Sequence, residues 1–135
     1  MHFSLIVACK SFALNPNDNL LSIHEIVEEL AITELPTIIP QICFVFMSRK
    51  TELEPKKFPI ECEILNNGNV LRKTAQDLDY VKSNKNRYLV TTKNLQITEE
   101  GKLTINLYYN KRKNNVSLSI DVIKVPITTG AVSEN

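Results

Sequence analysis

The sequence lacks several things that whole classes of function need. It has no tryptophan, only 3 glycines and only 2 histidines in 135 residues. Accordingly there is no G-x-x-x-x-G-K and no G-x-G-x-x-G, the loops whose backbone amides cradle phosphate, and H-E-x-x-H is missing too. No apolar run approaches the roughly 20 residues that cross a bilayer as a helix, so no membrane partner is expected. Nor does one sign of charge dominate: the net charge is +1, which recommends neither nucleic acid nor an anionic membrane. Cys9, Cys43 and Cys62 are widely spaced and none forms C-x-x-C, which excludes a zinc knuckle or a thioredoxin-like pair. Each sits in an apolar run, as buried thiols in a reducing compartment do, and a Cys43–Cys62 bridge is the less favoured alternative. "LIVAC", residues 5–9, ends like a lipoprotein cleavage site. The stretch before it is short and carries no Lys or Arg, so both the n-region and the h-region of a signal are missing. A cytoplasmic location is expected.

What is present reads as strands. Val116, Leu118, Ile120 and Val122 alternate with Ser117, Ser119 and Asp121, a half-buried strand. Leu103, Ile105, Leu107 and Tyr109 do the same just upstream, and the polar "NKRKNN" between them makes a hairpin with a basic tip. "RYLVTTKNLQI" is β-branched and aromatic, and Gly101 marks the turn after it. Phe58, Ile60, Cys62 and Ile64 share one strand face, and "NNGN" turns the chain into a short return strand "VLRK". "QICFVFMS" is apolar at both parities, which predicts a central strand covered on both faces. Pro36, Pro40, Pro55 and Pro59 are expected at strand edges. Residues 74–86 read as a loop, with at most one helical turn around Asp77–Val81.

The ambiguous stretch is "LLSIHEIVEEL", residues 20–30. Ser22 and Glu25 fit a helical capping box, and Ile23, Ile26, Val27 and Leu30 recur at helical spacing. Leu21, Ile23 and Val27 also share one strand parity. "NPNDN" at residues 15–19 is a dense turn signal after the strand-like "HFSLIVACKSFAL". Sequential strands usually pair, so residues 20–28 are expected to return as the second strand of an opening hairpin. The expectation is one all-β domain over residues 1–125, an antiparallel β-sandwich of about eight strands, with a flexible tail at 126–135.

Residues 3–40, "FSLIVACKSFALNPNDNLLSIHEIVEELAITELPTIIP", resemble the opening of a family of short bacterial proteins classed as a domain of unknown function. In that family an apolar strand is followed by a "GKLSLIGVFD"-like strand, a spacer, a Pro-x-x-x-Pro element and another apolar strand. Here "NLLSIHEIVEEL", Pro36 with Pro40, and "QICFVFMS" stand in those places. Asn19 departs from the family's glycine-lysine turn, and His24-Glu25 from its small mid-strand residues. The resemblance implies an antiparallel β-sandwich and brings no catalytic residues. Separately, "NLQITEEGKLTINLYYNKRKNNVSLSIDV" resembles the last strands of immunoglobulin-like sandwiches. The Cys-Trp-Cys pattern and the tyrosine corner of that class are both missing. Immunoglobulin-like and C2-like sandwiches are the two expected types.

Catalysis finds little to stand on. His2 is beside the start, and His24 is mid-strand without evident partners; Cys9 can meet it across the first hairpin but reads as buried. Glu61 and Glu63 share a face, which simple alternation explains without a catalytic pair. Asp77-x-Asp79 is only a fragment of the six to eight oxygens that calcium takes. No catalytic residue, metal or cofactor is assigned, and no enzymatic activity is expected. The candidate binding surface is the basic tip Lys111, Arg112 and Lys113 beside Tyr108, where cations and a stacking aromatic coincide. Lys at a hairpin tip also discourages edge aggregation. The expected function is a protein-interaction or structural module whose partner is itself or another chain. Single-stranded nucleic acid at the tip is the alternative, and metal-dependent or hydrolytic catalysis ranks below it.

Overall fold

The computed structural model describes residues 1–80 and 83–126. Among them the chain is all-β: β1 (His2–Leu14), β2 (Leu21–Ile26), β3 (Glu29–Ile32), β4 (Thr37–Arg49), β5 (Lys57–Asn66), β6 (Asn69–Asp79), β7 (Lys85–Ile97), β8 (Gly101–Tyr109) and β9 (Asn114–Lys124). They form two sheets, of order β2-β1-β4-β7 and β3-β9-β8-β5-β6. One core joins them. Ile42, Phe44 and Phe46 of β4 and Leu95 and Ile97 of β7 share it with Ile60 and Ile64 of β5, Leu103, Ile105 and Leu107 of β8, and Ile120 and Val122 of β9. Burying one such side chain stabilises by about 1.5–3 kcal/mol, so this shared face is the main source of stability.

The stretch "LLSIHEIVEEL" is not a helix. Leu21 to Ile26 return antiparallel along β1, with Leu14 opposite Leu21 and Ser11 opposite His24. The capping-box glutamate Glu25 instead sits at φ 56° and reaches Lys10 across the hairpin at 3.7 Å. Three expectations change. There are nine strands rather than about eight, because "ELAI" forms β3 by itself. β3 pairs with β9 in parallel, Glu29 opposite Asp121, so the ladders are not all antiparallel. The supposed loop at 74–86 is largely strand: β6 runs to Asp79 because β5 extends back to Lys57 and supplies a partner at every step. Val81 and Lys82 of the suggested helical turn lie outside the described residues, as does the expected tail from residue 127 onward.

Two prolines sit inside strands rather than at their ends. At Pro40, β1 has already left β4, and at Pro59, β8 no longer reaches β5. Each strand is locally an edge there, where a missing N–H is tolerated. Pro40 has a further effect. It lies opposite Asn94, which has φ 54°, between the rungs Gln41–Lys93 and Ile39–Leu95. Beyond that rung both strands change parity, so Leu95 and Ile97 are buried where Tyr88 and Thr92 were before it. Ile38 is turned outward.

The opening hairpin folds back over its own sheet. β1 pairs with β4 from His2–Arg49 as far as Cys9–Cys43, then leaves and pairs only with β2. The carbonyl of Asn19, at the hairpin's tip, accepts a bond from Arg87 Nη1 at 2.9 Å. Arg87 stands opposite Met47, and Met47 opposite Leu5, back toward the start of β1. The hairpin therefore covers the outer face of the four-stranded sheet. Beneath it Phe12, Leu21 and Ile23 pack on Cys9, Cys43 and Val45, with Val7, Met47 and Leu89 around them, a second small core. This is why β1 and β4 are apolar at both parities.

Candidate interaction surface

The basic tip forms where β8 hands over to β9. Asn110, Lys111 and Arg112 take φ of 54°, 54° and 65°, three left-handed residues in a row, and Lys113 N–H closes the turn on the Asn110 carbonyl at 3.0 Å. This coiling throws Arg112 back onto β5. Its Nη1 donates to Glu61 Oε1 at 2.8 Å, its Nη2 lies 3.8 Å from Glu63 Oε2, and its guanidinium stacks 3.9 Å from the centre of the Tyr108 ring. The bond to Glu61 holds the guanidinium above its ordinary pKa. Of the expected site residues, the structure thus brings Tyr108 and Arg112 together and leaves Lys111 and Lys113 exposed. Arg112 is neutralised by two glutamates and covers one face of Tyr108, so a base stacking there would have to displace it.

The other residues singled out by the sequence are dispersed. His24 is exposed opposite Ser11, while Cys9 is sealed in the hairpin core, so the two do not meet. All three cysteines are free and buried. Burial pushes the Cys62 thiol up to about 11 despite its bond to Tyr88, which makes it a poor nucleophile. Glu61 and Glu63 serve the tip, and Glu63 also faces Lys73 at 3.5 Å. Asp77 and Asp79 belong to β6, opposite Pro59 and Lys57. Among the described residues no three His, Cys, Asp or Glu gather as a metal site would require. The same residues contain no helix long and apolar enough to cross a membrane.

A second surface was not evident in the sequence, because "VLRK" suggests only a short return strand and the residues after it a loop. β6 is the outer strand of the five-stranded sheet, and among the described residues β5 is its only ladder partner. Only Leu71 and Leu78 along its length are not exposed. Both ends are tied to β7: Arg72 Nη2 donates to the carbonyls of Lys93 and Asn94, each at 3.1 Å, and Asn86 Nδ2 donates to the Asp79 carbonyl. Between these ties, Lys73 to Asp77 present an open edge. The charge along it is ordered, with Arg72 and Lys73 first and Asp77 and Asp79 last.

No protein-family model matches this chain, and no curated protein matches it.

Proposed function

We propose that this chain is a non-enzymatic recognition module, a β-sandwich that binds protein by adding a strand to the β6 edge. The observation that carries the reading is the free edge itself. Proteins normally cover or interrupt a long edge strand, and backbone groups left open are a template for pairing. The order of charge argues for a second copy as the partner. An identical strand laid antiparallel and centred on Ala75 sets Lys73 of one copy against Asp77 of the other, twice. Lys73 is still exposed beside Glu63 and is free to exchange partners. The strand order supports an immunoglobulin-like arrangement. With β2 and the short β3 set aside, β1, β4 and β7 share one sheet and β5, β6, β8 and β9 the other, with crossings after β4, β6 and β7.

The test is solution mass by light scattering as concentration rises. The chain should dimerise in the micromolar to millimolar range, Asp77→Lys should weaken the dimer by about tenfold, and Lys73→Glu with Asp77→Lys together should restore it. A monomer at every concentration, or a dimer indifferent to Asp77→Lys, overturns the proposal.

A further inference from the structure

The folded-back hairpin encloses more than a second core. Beside its tip lies an open pocket of about 600 Å³, lined by the apolar Leu14, Met47 and Leu89, by the cations Arg49, Lys85 and Arg87, and by neutral serine and asparagine side chains. That volume is in the range of small-molecule sites. The three cations come from one face of one ladder. Arg49 stands directly opposite Lys85, and Arg87, two residues along β7, stands opposite Met47. Directly opposed residues have Cβ atoms roughly 4.5–5.5 Å apart, and like charges so placed repel. Among the described residues none of the three has an ion-pair partner, and no acid lines the pocket. Asp18, the acid nearest along the hairpin, is spent on its own turn, accepting from Leu20 N–H at 3.0 Å and from Asn15 Nδ2 at 3.4 Å.

Among the described residues, some surface cations outside the pocket are paired with acids and others, such as Lys111 and Lys113, are not. Lys10, Lys73, Lys102 and Arg112 each face a carboxylate. The pocket is lined by three cations and by no acid, and the Asn19 carbonyl holds Arg87 Nη1, the one bond its guanidinium makes among the described residues. Such a guanidinium suits a phosphate oxygen pair, and three cations suit a dianion better than a carboxylate. The apolar wall suits a body attached to it. We propose that this pocket binds a phosphate monoester carried on a small, partly apolar molecule, held by Arg49, Lys85 and Arg87. This does not depend on the β6 edge, which lies on the other sheet.

The probes are phenyl phosphate, inorganic phosphate and phenol, titrated at low salt into the ¹⁵N-labelled chain. Phenyl phosphate should saturate with a Kd of about 1 mM or below and shift the amides of Met47, Arg87 and Leu89. Inorganic phosphate should shift the same amides more weakly, and added salt should weaken both. Lys85→Gln and Arg87→Gln should each weaken binding by about tenfold, and Lys113→Gln, which does not line the pocket, should change nothing. Lys85 is exposed and makes no side-chain bond among the described residues, so its variant tests charge without endangering the fold. No saturable shift, phenol binding as tightly as phenyl phosphate, or binding indifferent to both pocket variants overturns the proposal. A phosphotyrosine peptide binding far more tightly than phenyl phosphate would replace the small molecule with a phosphopeptide.

Discussion

Asn66 is fully buried and acts as a clasp between sheets. Its Oδ1 accepts from the N–H groups of Thr98 and Glu99 at 3.1 and 3.0 Å, and its Nδ2 donates to the carbonyls of Glu99 and Lys102 at 3.1 and 3.2 Å. The turn from β7 to β8 is therefore shaped by a side chain at the end of β5. Asn66→Ala removes the side-chain partner of the Thr98 and Glu99 backbone groups, while the Lys102 carbonyl keeps its bond from Asn67 N–H, and should cost about 2–3 kcal/mol, read as a lower urea midpoint at unchanged slope. Asn67 supports the same turn, accepting from Lys102 N–H at 2.8 Å. Its side chain fills the place of a Cβ at residue 101, where φ is 129°, so only glycine fits. "NNGN" was legible as a turn, and it does turn β5 into β6. That its asparagines also govern another turn 30 residues away was not, since hydrogen bonds of that range leave no periodic trace. Cys62 yields a prediction about pH. Its thiol is held neutral up to about 11 against an ordinary 9.0, so the unfolded chain loses this proton first as pH rises. Stability is full below pH 9 and falls between 9 and about 11, by at most ~2–3 kcal/mol. Burial raises Cys9, Tyr80 and Tyr88 as well, which adds to the same alkaline decline. Cys62→Ala should flatten thermal stability measured from pH 8 to 11 relative to its own neutral value.

At the scale of elements, strand against helix at residues 20–30 was decided by context. Local spacing suited a helix, but a five-residue turn between two apolar runs suited a hairpin, and β1 offered a free edge. The fold-back of that hairpin was not foreseeable, although its cause is written in β1 and β4. Apolar residues at both parities say that both faces are covered without saying by what. The hairpin's hold on the sheet can be probed through the thiols beneath it. Phe12→Ala removes part of the cover from Cys43 and Cys9 and leaves the main core untouched. Both thiols should then alkylate faster with iodoacetamide under native conditions, by about tenfold or more, while Cys62 stays protected. The basic tip shows a different limit. Lys111, Arg112 and Lys113 looked equivalent in one dimension, but three left-handed residues aim only Arg112 at the glutamates of β5.

For the whole molecule, the all-β class and the two closing strands were readable from alternation, and the central place of β4 from apolar residues at both parities. The parallel β3–β9 contact was not, because four residues carry too little pattern to name a partner 92 residues on. β6 was legible only as the short return strand "VLRK"; its continuation to Asp79 was not, because residues at an exposed edge are polar at both parities. Two cores of unequal size imply two levels of stability. Amide exchange should be slowest in β4, β5 and β8, which hold the large core, and should run about tenfold or more faster across β1–β2 beyond Cys9. Equal protection in the hairpin and the central strands would contradict this division.

The covered outer face of the four-stranded sheet has a consequence for descent. Cys43 and Val45 are apolar on a side of β4 that would otherwise meet water, and Phe12, Leu21 and Ile23 have nothing to rest on except that side. Neither set is viable alone. A relative that had lost the hairpin would have to carry polar residues at 43 and 45, and one that kept it would have to keep them apolar. Hairpin and sheet face should therefore vary together, with polar residues at 43 and 45 wherever the hairpin is lost.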